Sequence, residues 1–155
     1  MQKASPSFTL VCVPIASPLL VGIYRDGKLI EESSYHEKTS EILLVALEYY
    51  LERYPIDRVI YTRGPGSYMA IKIAFVMLKT LEIVRGIPCF GCLGFAFNDQ
   101  QPIKAINDLY FVKEKETIIT KKIPILPKID FKLPPTLDLI VIDSEATPLY
   151  ILPAV

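Results

Sequence analysis

Residues 58–67 read Arg58-Val59-Ile60-Tyr61-Thr62-Arg63-Gly64-Pro65-Gly66-Ser67, and this stretch decides the fold. Its first half, 58–62, is a short apolar run. Beyond it, Tyr68 to Val84 is predominantly apolar and contains no Gly or Pro. That order predicts a strand, a tight loop and a helix. Two glycines at such a junction let the backbone turn sharply and approach another group closely. Ser67 is placed to cap the helix by accepting a hydrogen bond from one of its orphan N–H groups. A helix N-terminus beside glycines can equally hold a phosphate. The loop is therefore either a phosphate cradle or a hinge that seats a helix on a sheet.

Working outward, Phe8 to Val13 is a continuous apolar run, as expected of a strand buried on both faces. Leu19–Tyr24 and Leu29–Tyr35 flank Asp26-Gly27, a hairpin signal. The third strand carries Glu31, Glu32, Ser33 and Ser34, which places it near a sheet edge. Residues 39–54 predict a helix that starts at Thr39 or Ser40 and stops before Pro55. A second helix is expected over 68–85 with Gly86 as its C-terminal cap, then a short buried strand over Pro88–Gly91. Three meandering strands, then helix, strand, helix, strand, predict an α/β architecture. The order is that of a ribonuclease-H-like half-domain, the unit of actin-like and sugar-kinase-like ATPases.

The chain has 155 residues, enough for one domain or one domain with a small appendage. Composition shifts after about residue 97. No glycine follows Gly94, and Pro102, Pro124, Pro127, Pro134, Pro135, Pro148 and Pro153 crowd the remainder. We expect a main domain over 1–97 and a reduced, irregular lobe over 98–155, with strand-like pieces at 109–113, 117–120, 139–142 and 149–152.

Lys plus Arg and Asp plus Glu are 17 each, for a formal net charge of zero. No basic cluster stands out, which disfavours direct nucleic-acid binding by this chain alone. Every long apolar run is broken by charge or proline, so no membrane span is expected. The start of the chain has no signal-peptide pattern, and three cysteines make no disulfide framework. The cytoplasm is the expected compartment.

The residues from Arg63 to Ala74, Arg-Gly-Pro-Gly-Ser-Tyr-Met-Ala-Ile-Lys-Ile-Ala, resemble the hallmark of the TsaB (YeaZ) family, Arg-Gly-Pro-Gly-Ser-Phe-Thr-Gly-Val-Arg-Ile-Gly. Asp26-Gly27 sits where that family has its turn. Ile87-Pro88 with Gly91 is similar to the family's strand after the second helix, and Pro148-Leu149-Tyr150-Ile151-Leu152 to its closing segment. The resemblance spans residues 8–97 and, loosely, 145–155. Val13-Pro14 stands in place of the family's Asp-Thr pair, Lys38 in place of a His, and Ala70 and Ala74 in place of glycines. These departures mark a divergent, compact version.

The resemblance implies a non-catalytic subunit of the machinery that adds threonylcarbamoyl to the adenosine beside the tRNA anticodon. It implies docking onto TsaD, the catalytic paralogue, with the ATPase TsaE joining the complex. It implies a homodimer when the chain is alone, and contact with tRNA only through the complex. No cofactor, metal or catalytic residue is expected in this chain.

The residues themselves agree with a structural role. Without a first-strand carboxylate at Val13, Mg²⁺ has no hard oxygen anchor near the glycines, and the loop lacks the Walker Lys-Ser/Thr pair. Cys89-Phe90-Gly91-Cys92 could be a redox pair or half a zinc site, but its apolar setting favours buried structural thiols. His36 reads as a surface residue, Ser67 has no evident general base, and Asp143 and Glu145 read as turn and capping residues.

The helices carry the stronger functional signal. In the first, Ile42, Leu43, Ala46, Leu47 and Tyr50 can face the sheet. The opposite arc holds Glu41, Glu48 and Glu52, yet Leu44 and Leu51 flank it on one side and Val45 and Tyr49 on the other. In the second, Ala70, Ala74, Met77 and Leu81 are expected against the sheet. Phe75, Val76 and Ile83 then point outward among Lys72, Lys79 and Glu82. Helices apolar nearly all round are buried on more than one side. We therefore expect a partner surface of Leu44, Val45, Glu48, Tyr49 and Leu51 on the first helix, with Lys72, Phe75, Val76, Lys79 and Ile83 on the second. Two other readings are a small actin-like or sugar-kinase-like phosphotransferase and a generic protein-interaction module.

Overall fold

The computed structural model describes residues 5–125 and 130–151. Its main body is a five-stranded sheet in the order β3-β2-β1-β4-β5. The strands are β1 (Phe8–Val13), β2 (Leu19–Arg25), β3 (Lys28–Tyr35), β4 (Arg58–Gly64) and β5 (Cys89–Leu93). The first three form an antiparallel meander, and β4 and β5 run parallel to β1. Every residue of β1 is buried, which fits its apolar run and central place. β3 alternates exposed and half-buried side chains at the sheet edge, as its glutamates and serines predict.

Helices α1 (Thr39–Arg53) and α2 (Tyr68–Arg85) cover one face. Alternation along the strands sends Leu10, Cys12, Val21, Val59 and Tyr61 to that side, where Leu43, Leu47, Tyr50, Ile71 and Leu78 pack on them. The other face carries Val11, Val13, Tyr24, Ile60 and Cys92. No α-helix covers it among the described residues. The 3-10 turn Gly94–Phe97 and the tail 131–140 do so, through Phe97 and Ile140 and the half-buried Phe131, Leu133 and Leu137. The tail is fixed by backbone bonds: Lys132 N–H to Phe97 O at 2.7 Å, Leu29 N–H to Pro135 O at 3.0 Å and Leu137 N–H to Gly27 O at 2.9 Å. The Tyr24 hydroxyl donates to Pro134 O at 2.6 Å.

Between body and tail lies a second antiparallel sheet of β6 (Ile103–Ile106), β7 (Leu109–Glu114) and β8 (Thr117–Lys122). Its buried residues Ile103 and Phe111 join Phe95 in a small core of their own.

Several expectations change. β4 runs on to Gly64, so Arg63 and Gly64 belong to the strand rather than the loop. β5 starts at Cys89 and extends to Leu93. β6 has no counterpart in the expected strand list. No strand forms over 139–142: residues Leu137–Leu139 make a 3-10 turn, and Ile142 makes only an isolated bridge to Cys92. Leu149–Ile151 is irregular, and Leu152 lies outside the described residues. The residue preceding α1 is Lys38, and neither it nor Ser67 makes a side-chain capping bond. Gly86 does cap α2, in the left-handed conformation at φ 70°.

The buried stripe of α2 is Ile71, Ala74 and Leu78, with Ala70, Met77 and Leu81 half-buried beside it. That is a rotation from the expected face, and it shows first at Phe75. Phe75 turns inward and stacks on Tyr61, ring centroids 6.3 Å apart.

Candidate functional site: a closed glycine loop and an open helix face

Arg63 is the pivot of the loop region. It is the penultimate residue of β4 and is 8 % exposed although it carries a full charge. Its guanidinium donates to Asp143 Oδ2 at 3.0 Å, to Glu145 Oε2 at 3.5 Å and to the Thr147 carbonyl at 2.7 Å. Its own carbonyl accepts from Leu149 N–H at 2.7 Å. Tyr61, two residues earlier and on the same strand, donates its hydroxyl to Ala146 O. Gly91 makes room for this: a Cβ there would stand 2.7 Å from Arg63 Cδ and 3.0 Å from Glu145 O. Residues 143–150 thus lie as a strap across the second half of β4 and the middle of β5. Asp143 and Glu145 are ion-pair partners of Arg63, not the turn and capping residues their sequence context predicts.

The glycines face a side chain. Gly66 sits at φ 155°, and a Cβ on it would meet Ile15 Cγ2 at 2.7 Å and Ile15 Cβ at 2.9 Å. Gly94 approaches the other end of the same residue, with a Cβ position 2.1 Å from Ile15 Cδ1. Ile15, from the β1–β2 loop, therefore packs closely on both Gly66 and Gly94. Val13 at the end of β1 is fully buried and carries no oxygen ligand. An apolar pocket of about 220 Å³ lies beside the loop, lined by Pro65, Gly66, Tyr68, Phe111, Leu149 and Tyr150 among others. Among the described residues, no group of three or more His, Cys, Asp or Glu could hold a metal ion.

Cys12, Cys89 and Cys92 are all free and buried. Burial, reinforced by the Glu82 charge, pushes the Cys89 thiol up to about 12. Burial and the Asp143 charge push Cys92 up to about 12. Cys12 is raised by burial and by the other two thiols. Thiols held protonated in this way are poor nucleophiles and poor metal ligands. His36 is exposed, as expected.

The outer faces of α1 and α2 lie on the same side of the sheet. Leu44 and Val45 are 56 % and 57 % exposed, and Val76 and Ile83 are 54 % and 77 % exposed. Tyr49 is also exposed, its ring under the Arg53 guanidinium at 3.5 Å. Glu48, Lys72 and Lys79 are exposed; Lys79 pairs with Glu82 at 3.0 Å. Two expected members sit elsewhere: Leu51 is half-buried against the core and Phe75 lies on Tyr61. Met69 and Val84, 67 % and 74 % exposed, extend the apolar surface and were not foreseen. Their place follows from the rotated phase of α2.

The Glu82 carboxylate accepts from Cys89 N–H at 2.8 Å and from Lys79 Nζ. The backbone bond first, and Lys79 second, hold it below its ordinary value.

This is a mixed α/β fold in which three antiparallel strands lead into two parallel ones, with both helices on one face. Among solved structures it is similar to YeaZ from Pseudomonas aeruginosa, with a TM-score of 0.58 at 15 % identity, covering 74 % of this chain and 64 % of that one. It is also similar to a structure described as an uncharacterized protein with similarity to peptidase YeaZ from the same organism, with a TM-score of 0.57 at 15 % identity, covering 74 % of this chain and 63 % of that one. The shared fold agrees with the TsaB (YeaZ) resemblance of residues 63–74. The chain matches less than two thirds of the length of either structure. No protein-family model and no curated protein matches it. No helix among the described residues is long and apolar enough to cross a membrane.

Proposed function

We propose that this chain is a divergent, compact TsaB-like protein, a ribonuclease-H-like half-domain that acts as a non-catalytic scaffold in the threonylcarbamoylation of tRNA in the cytoplasm. Its partner is TsaD, and it docks through the outer faces of α1 and α2. TsaE joins the complex, and tRNA is met only through it. In the absence of TsaD the same surface pairs with a second copy.

The observation that carries this reading is the exposed apolar surface of Leu44, Val45, Tyr49, Val76 and Ile83, set among charges of both signs. Apolar patches rimmed by polar residues mark protein–protein contacts. Glu41, Glu48 and Glu52 on α1 and Lys72 and Lys79 on α2 are exposed and can pair across a two-fold contact, which would fix register and partner choice. The YeaZ fold supports the choice of process. The buried Val13, which offers no oxygen to anchor Mg²⁺ beside the glycines, weighs against a phosphotransferase.

The test is co-purification of the tagged protein from its own cells, together with mass spectrometry of tRNA nucleosides after its deletion. Recovery of TsaD and loss of threonylcarbamoyl-adenosine are the expected results. A deletion strain with normal threonylcarbamoyl-adenosine would contradict the proposal.

A further inference from the structure

The end of the chain is held to the body in two different ways. Residues 131–140 are held by burial, with Ile140 in the core and Phe131, Leu133 and Leu137 packed against it. Residues 143–150 are not: none of them is buried, and Ser144, Glu145, Thr147 and Tyr150 are exposed. What ties this second stretch down is polar. Asp143 N–H donates to Gly91 O at 2.8 Å and Leu149 N–H to Arg63 O at 2.7 Å. The Arg63 guanidinium reaches Asp143, Glu145 and the Thr147 carbonyl, and the Tyr61 hydroxyl reaches Ala146 O.

A segment with little buried apolar surface and a few hydrogen bonds opens more readily than the core beneath it. Its bonds here converge on neighbouring residues of β4 and β5, so they are lost or kept together. We propose that residues 143–150 are a latch that opens as one unit while the sheet stays folded, with the Arg63–Asp143 pair as its keeper. Opening breaks the charge-assisted bonds from the Arg63 guanidinium to Asp143 and the Thr147 carbonyl in a single step, and their loss keeps the latch predominantly shut. Glu145 contributes little, because its side chain is 70 % exposed and 3.5 Å away.

The latch also touches the start of α2. Leu149 Cβ lies 3.0 Å from where a Gly64 Cβ would stand. The ring of Tyr150 meets that of Tyr68, the first residue of α2, edge to face at 4.9 Å. Release of the latch removes that support, so the first turn of α2 loosens with it. This inference is independent of what α2 docks against.

Native-state hydrogen exchange on the full chain tests it, comparing wild type with Asp143→Asn and Glu145→Gln. Three amides report: Leu149, bonded to Arg63 O; Ile71, bonded to Ser67 O in the first turn of α2; and Val59, bonded to Pro88 O inside the sheet. In the wild type, Leu149 is expected to exchange at least about tenfold faster than Val59. Asp143→Asn is expected to speed Leu149 by roughly tenfold and to speed Ile71 as well, with Val59 unchanged. Glu145→Gln is expected to change none of them by more than about threefold. Equal rates for Leu149 and Val59, or equal acceleration of both by Asp143→Asn, would show that the strap is part of the core. An Ile71 amide that does not follow Leu149 would overturn the coupling to α2.

Discussion

Gly66→Ala probes directly whether the glycine loop is a packed hinge. A Cβ at Gly66 would stand 2.7 and 2.9 Å from Cγ2 and Cβ of Ile15, well inside contact distance. Ile15 Cβ is bonded to its own backbone and cannot swing aside as a side-chain tip could. Overpacking of this kind costs about 1–3 kcal/mol. The backbone at φ 155° adds strain for any residue with a side chain, on the order of 1–3 kcal/mol. The sum is about 2–6 kcal/mol, a large part of the ~5–15 kcal/mol that holds a domain together. At roughly 2–4 °C per kcal/mol for a chain of this size, the midpoint falls by about 4–24 °C. Ile15→Gly removes both atoms of the obstruction but not the backbone strain. The double variant should therefore be more stable than the sum of the two singles by about 1–3 kcal/mol. Denaturant unfolding of the four proteins measures this coupling. Additivity within about 0.5 kcal/mol would mean that Ile15 does not pack on Gly66, and the hinge reading would lose its basis.

Three further outcomes follow from single contacts. With the Cys89 and Cys92 thiols raised to about 12, only roughly one in ten thousand is ionised at pH 8; Ellman's reagent should leave the native protein unlabelled over hours and react with all three cysteines in denaturant, whereas rapid native labelling would show that the thiols are accessible. Tyr24→Phe leaves Pro134 O without its donor and should lower stability by about 1–2 kcal/mol, read as a smaller midpoint denaturant concentration; an unchanged midpoint would mean that the tail is not anchored there. Because the Glu82 carboxylate is held below its ordinary value, its contribution is full above the ordinary glutamate range and is lost as pH falls through the lowered value. Glu82→Gln should therefore flatten part of the acid limb of a stability–pH curve, and parallel curves for variant and wild type would count against the Cys89 and Lys79 contacts.

Strong local signals carried much of the fold. The apolar run of β1, Asp26-Gly27 between two strands, and Gly86 at the end of α2 each admit few alternatives, and each element formed where its signal lies. The tail was harder to read. Leu139-Ile140-Val141-Ile142 has the composition of a strand, but it faces the outer side of β5, where it makes one bridge only and otherwise lays Ile140 over the sheet. Composition does not distinguish a strand from a covering segment. The Arg63 clamp was equally hidden, because Asp143 and Glu145 lie 80 and 82 residues away in sequence. On α2 the run from Tyr68 to Val84 is apolar on most sides, so its phase was weakly determined. A rotation turned Phe75 against the core and brought Met69 and Val84 to the surface.

The proposed docking face is tested most directly by titrating TsaD into the wild-type protein and into Val76→Glu/Ile83→Glu by calorimetry, with thermal unfolding of both. Because these side chains are 54 % and 77 % exposed, the double substitution should change stability by no more than about 1 kcal/mol. Placing two carboxylates in an apolar contact should weaken binding by at least about a hundredfold. The account predicts heat of binding with the wild type, none with the variant, and nearly equal midpoints. A wild-type chain that does not bind TsaD, or a folded variant that binds it equally well, would contradict it.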